Sequence, residues 1–111
     1  MNIEIQLSND ELVLINNQLQ KVYATSKGSI AMYNVIASIC FGLADTFDKK
    51  TKNRIKKSSL FDSKKKTKIT LKYHEAFALK FWLYGEEPSI TNEYQKTLIN
   101  KQIANLDQKL T

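Results

Sequence analysis

Residues 2–11 commit the start of the chain to one local shape. Ile3, Ile5 and Leu7 alternate with Asn2, Glu4 and Gln6, the period of a strand with one buried face. The strand runs directly into Ser8-Asn9-Asp10-Glu11. Ser8 is placed to cap a helix there, and Glu11 to reach back from its third position. The same move recurs 64 residues later, where KITLKYHE supplies Ile69 and Leu71 for a strand face and then opens a helix. The offset lays Ile5 on Ile69, Leu7 on Leu71, Glu11 on Glu75, Ile15 on Leu79 and Leu19 on Leu83. Such a match has two sources, an internal repeat or the chemistry that any strand-to-helix junction requires.

Helical spacing fills in the rest. Leu12, Ile15, Leu19 and Val22 share a face of the first helix, and Gly28 is expected to end it in a left-handed turn. A second helix is expected from Ser29 to about Phe47. Its stripe of Tyr33, Ile36, Cys40, Leu43 and Phe47 is widened by Met32, Val35 and Ile39, so that it needs cover on two sides. Gly42, inside it, costs about 1 kcal/mol against alanine and is expected at a close approach or a kink. A third helix spans about Tyr73 to Tyr84, Gly85 and Pro88 break the chain, and Thr91 with Glu93 and Tyr94 opens a last helix. Its seam is Ile99, Ile103, Leu106 and Leu110.

A chain of 111 residues fits one domain with a real core. The expected fold is α+β over residues 1–111, in the order β-α-α-β-α-α. A two-stranded sheet packs on about four helices, because two strands alone are a poor sheet. The first half covers 1–48, a long basic insert 49–68, and the second half 69–111. Exposed strand edges would admit a second copy, which makes a homo-oligomer one expected partner.

Charge is concentrated in the insert. Residues 49–68 hold ten basic side chains and one acid, so they supply +9 of a chain whose net charge is +6, and the remainder is −3. A mildly acidic body with one cationic segment points to a polyanionic partner. The candidate polyanion-binding residues are Lys49, Lys50, Lys52, Arg54, Lys56, Lys57, Lys64, Lys65, Lys66 and Lys68. Leu60 and Phe61, flanked by lysines, are candidate interface anchors, as is Trp82. Ile55 joins Leu60 and Phe61 as an apolar contact that would pin the segment. Lysine suits phosphate as a point charge but reads base edges poorly beside the bidentate arginine fork. With one arginine, little sequence specificity is expected. About five phosphate contacts would give a log–log salt slope on the order of −4 to −5.

Other chemistries find little support. His74-Glu75-Ala76-Phe77-Ala78 has half of the H-E-x-x-H zinc motif, but the second histidine position is Ala78 and the chain has one histidine and one cysteine. That leaves too few ligands for a usual zinc site. Cys40 with His74 is the one formal nucleophile–base pair, yet Cys40 sits on an apolar helix stripe, where cysteine is an inert small hydrophobe. The acid pairs Asp45/Asp48 and Glu86/Glu87 are too sparse for a calcium site, and the three glycines form no phosphate loop. No cofactor and no metal are expected. Tyr73, Phe77, Phe81 and Tyr84 recur at helical spacing. They are expected in the core, with base stacking as the alternative. Ser29 to Ala44 carries no charge but is shorter than the roughly 20 residues of a membrane span. The N-terminus shows no signal peptide.

These features together describe a non-enzymatic nucleic-acid or polyanion-binding protein, cytoplasmic or virion-associated. Two other readings share the same features. One is a structural or assembly subunit, such as a virion or capsid-associated component, using the insert as an inter-subunit arm. The other is a small protein inhibitor of a nucleic-acid enzyme.

Overall fold

The computed structural model describes residues 2–24, 31–57 and 65–111. Strand β1 (Asn2–Leu7) leads into α1 (Asn9–Gln20) and a 3-10 turn at Lys21–Ala24, followed by α2 (Ala31–Lys57). Strand β2 (Thr67–Lys72) leads into α3 (Tyr73–Glu86), a 3-10 turn at Glu87–Ser89, and α4 (Glu93–Leu110). The domain is thus a two-stranded antiparallel sheet with four helices.

The local chemistry explains each boundary. Ser8 Oγ accepts from the Glu11 N–H at 3.2 Å while Glu11 Oε1 accepts from the Ser8 N–H at 3.0 Å, a complete capping box. At α3 the equivalent Glu75 accepts from the Lys72 N–H at 2.8 Å. Asn92, one residue after the expected Thr91, caps α4 by accepting from the Gln95 N–H at 2.9 Å. The expected Gly28 turn and Ser29 helix start lie outside the described residues.

The strands pair with Ile3 opposite Leu71 and Ile5 opposite Ile69. Ile5 and Ile69 are themselves related by the 64-residue offset, as are the first residues of α1 and α3, Asn9 and Tyr73. The local two-fold of the antiparallel ribbon therefore passes through that isoleucine pair. Each strand then delivers a helix to the same side of the sheet. Trp82 makes a cross-connection between the halves: its Nε1 donates to the carbonyl of Gln18, 64 residues earlier, at 2.8 Å.

The inward strand residues Ile3, Ile5, Leu7, Ile69 and Leu71 are buried and join one core with Leu12, Ile15 and Leu19 of α1. Ile36, Cys40, Leu43 and Phe47 of α2, Leu79 and Leu83 of α3, and Ile99 and Leu106 of α4 complete it. α2 packs on both α1 and α3, as its wide stripe requires, although Met32 and Val35 remain more than half exposed. Gly42 marks neither a close approach nor a constriction, since a Cβ there would meet nothing within 4 Å.

Candidate polyanion-binding surface

The basic segment does not leave the helix near Phe47. α2 continues to Lys57, 27 residues in all and about 40 Å long, so the first half of the segment is helical. The reason lies in side chains on either side of the expected boundary. Asp45 pairs with Lys49 at 3.2 Å and Asp48 with Lys52 at 2.8 Å, both acid-before-base at i,i+4, the favourable order on a helix. Phe47 and Thr51 keep the inner face buried, and lysines suit the negative end of the helix dipole.

The ten basic candidates divide into distinct roles. Lys49 and Lys52 are held by the carboxylates just named. The hydrogen bonds from Lys52 and then Asn16 keep the Asp48 carboxyl below its ordinary range, and Asp48 in turn raises Lys52. Lys68 faces Glu4 across the sheet at 3.5 Å. Arg54 is a tether: Nε donates to Asn9 Oδ1 at 2.9 Å and Nη2 to the Lys65 carbonyl at 3.1 Å. It thereby binds the end of α2 to the start of α1 and to the approach of β2.

That tether brings two stretches of chain together. Lys50, Asn53 and Arg54 from α2 and Lys66 and Thr67 from the β2 side line one shallow, open groove of about 330 Å³. Lys56 and Lys65 are exposed beside it in sequence. Lys50, Lys56 and Lys66 have no carboxylate within ion-pair distance among the described residues. Lys66 also borders a second groove of about 390 Å³, lined by Gln6, Lys101, Gln102, Asn105 and Gln108 among others. Lys101, whose ammonium lies 3.6 Å from the buried Glu11 carboxylate, thus borders this surface, and sequence reasoning missed it. It lies on α4, 33 residues beyond the segment, with no local signal to mark it.

The remaining candidates fall elsewhere. Trp82 is not a surface anchor: it is 5% exposed, its ring lies 6.4 Å from that of Tyr33, and its one polar atom is bonded to Gln18. Burial satisfies both its area and its N–H. Leu60, Phe61 and Lys64 lie outside the described residues, as does the side chain of Lys57. Ile55 is 63% exposed at the rim of a shallow apolar depression of about 90 Å³ between α1 and α2.

The aromatic ladder of α3 also departs from expectation. Tyr73, Phe77, Phe81 and Tyr84 are all exposed, while Ala76, Leu79 and Leu83 face the core.

For nucleophilic chemistry the structure offers little. Cys40 is fully buried, its thiol donates to the Ala78 carbonyl at 3.7 Å, and burial pushes its pKa up to about 12. His74 is exposed on the first turn of α3. Among the described residues no group of three or more His, Cys, Asp or Glu side chains could hold a metal ion, and no helix is long and apolar enough to cross a membrane. The chain matches no protein-family model, no curated protein and no solved structure.

Proposed function

We propose that the protein is a non-enzymatic binding protein whose lysine-rich surface engages nucleic acid or another polyanion without strong sequence specificity. The supporting observation is the groove where Lys50 and Arg54 of α2 meet Lys66 at the approach to β2. Cations from two stretches of chain share one concavity, and Lys66 links it to Lys101. A charge run serving only solubility has no need of a shared groove or of an arginine tether.

Lys50, Lys56 and Lys66 are the residues to test, since their removal breaks no ion pair among the described residues. Fluorescence anisotropy with generic duplex and single-stranded oligonucleotides at low salt should show binding whose affinity falls with a log–log salt slope on the order of −4 to −5. The triple variant Lys50→Gln/Lys56→Gln/Lys66→Gln should shorten that slope by about 2 to 3 and leave the unfolding midpoint in place. Absence of binding by the unaltered chain at low salt, or equal binding by the triple variant, would refute the proposal.

A further inference from the structure

Helix α3 presents Tyr73, Phe77 and Phe81 about two-fifths exposed and Tyr84 72% exposed along one face. Large aromatic side chains offer about 200 Å² each when free, so these four leave roughly 400 Å² of aromatic surface in water. Met32 and Val35, on the neighbouring α2, add two more half-exposed apolar side chains. An apolar patch of this size is comparable to the largest on an ordinary monomer, roughly 300–600 Å², and such a patch is often a functional surface. It would also form the centre of a standard interface, which takes about 800 Å² from each partner.

Of the four, Tyr73 also ties α3 to the end of α4, its hydroxyl donating to the Leu110 carbonyl at 2.8 Å. The 64-residue offset places Asn9, Val13, Asn17 and Gln20 of α1 at the positions of Tyr73, Phe77, Phe81 and Tyr84. α1 occupies the matching place in the other half of the domain, and there three of the four residues are polar. The outward Phe77, Phe81 and Tyr84 are therefore an addition to the shared scaffold, with no aromatic residue at the matching places of α1.

The order of the stripe points to its occupant. Tyr-Phe-Phe-Tyr reads the same in both directions, centred beside Leu79. A two-fold axis there sets Phe77 against Phe81 of a second copy and Tyr73 against Tyr84, with phenyl rings in the middle and phenolic rings at both rims. Self-complementarity of this kind is what an isologous interface needs, and the apolar centre with a polar rim is its ordinary anatomy. An antiparallel arrangement also sets the two α3 dipoles in opposition, and Glu86 and Glu87 at the C-terminal end are already held by Lys21 and Lys96. On the β1 edge of the sheet, Lys109 Nζ already donates to the Glu4 carbonyl, which blunts that edge for strand pairing. We propose that α3 packs antiparallel on α3 of a second copy, making a symmetric homodimer.

Sedimentation velocity in about 0.5 M salt, where the Debye length is only a few ångströms and bridging by a polyanion is suppressed, tests this independently of the polyanion reading. The unaltered chain should pass from monomer to dimer between about 1 and 100 μM. Phe77→Ser/Phe81→Ser should weaken association at least about tenfold with an unchanged far-ultraviolet circular dichroism spectrum, whereas Val13→Ser on α1 should not. An oxidised equimolar mixture of Tyr73→Cys and Tyr84→Cys chains should give the mixed disulfide, with buried Cys40 not competing. A chain monomeric throughout that range, a dimer indifferent to Phe77→Ser/Phe81→Ser, or like-with-like cross-links alone would each overturn the proposal.

Discussion

Glu11 is where one substitution says most about how this domain holds together. Its carboxylate is 2% exposed and serves three masters. Oε1 accepts the Ser8 N–H at 3.0 Å, closing the α1 cap, Oε2 accepts from Gln102 Nε2 of α4, and Lys101 Nζ lies 3.6 Å away. Burial pushes the carboxyl pKa up, but the Ser8 backbone bond, the Gln102 and Ser8 side chains and Lys101 outweigh it, so the net shift is downward. Glu11→Ala loses a cap worth about 1 kcal/mol and a charge-assisted hydrogen bond worth about 1.5–3 kcal/mol. It also strands Gln102, 3% exposed, whose Oε1 already has no partner among the described residues. The expected cost is about 3–5 kcal/mol, a large part of the 5–15 kcal/mol typical of such a domain.

Urea unfolding followed by the fluorescence of Trp82, the sole tryptophan, measures that cost. The counterpart Glu75→Ala is an internal control. Glu75 is only partly buried and caps Lys72 alone, so its loss should cost about 1 kcal/mol or less. The pH dependence follows from the sign of the shift. A carboxyl with a depressed folded pKa contributes in full above its unfolded value near 4.5 and loses that contribution as pH falls through the folded value. Stability should therefore drop below about pH 4.5, and Glu11→Gln should flatten that limb. Equal costs for Glu11→Ala and Glu75→Ala, or an acid limb unchanged in Glu11→Gln, would refute the reasoning.

Two further outcomes can be checked on the same protein. Gly42→Ala should stabilise the domain by about 0.5–1 kcal/mol, because the added Cβ meets open space inside α2; a lowered urea midpoint would contradict this. Cys40, with its thiol pushed up to about 12 by burial, should resist iodoacetamide at pH 8 in the folded state and react promptly in denaturant, as read by mass spectrometry.

What could be read from the sequence was what local chemistry decides. The alternation of Ile3, Ile5 and Leu7 marks a strand wherever it occurs, and Ser8 with Glu11 marks a helix start. The inward set Ile69 and Leu71 followed from the same period. The misreadings share a different cause. Lys49 to Lys57 fell in the expected insert beyond a helix ending near Phe47, but Asp45 and Asp48 one turn back convert two of those lysines into helix-supporting pairs. Periodicity showed that Tyr73, Phe77, Phe81 and Tyr84 share a face without showing which face of α3 points inward. Ala76, Leu79 and Leu83 took the core together with Trp82, on the faces of α3 that meet α1, α2 and α4. Trp82 was misplaced by the same ambiguity, and Lys101 joined the groove through tertiary packing that no local pattern records.

The two halves of the domain are built alike. Both use a strand with alternating apolar residues, a glutamate cap at the third helical position and a 3-10 turn before the second helix. Both tie the end of the second helix to the start of the first, through Arg54 to Asn9 in one and Tyr73 to the Leu110 carbonyl in the other. Features present in both are what the scaffold needs to fold. The features found in one half alone are the cationic end of α2 and the aromatic face of α3, and each is carried by exposed side chains. Neither contributes a residue to the shared core, so substitution should weaken polyanion binding without touching self-association, and self-association without touching polyanion binding, in a domain that stays folded in both cases.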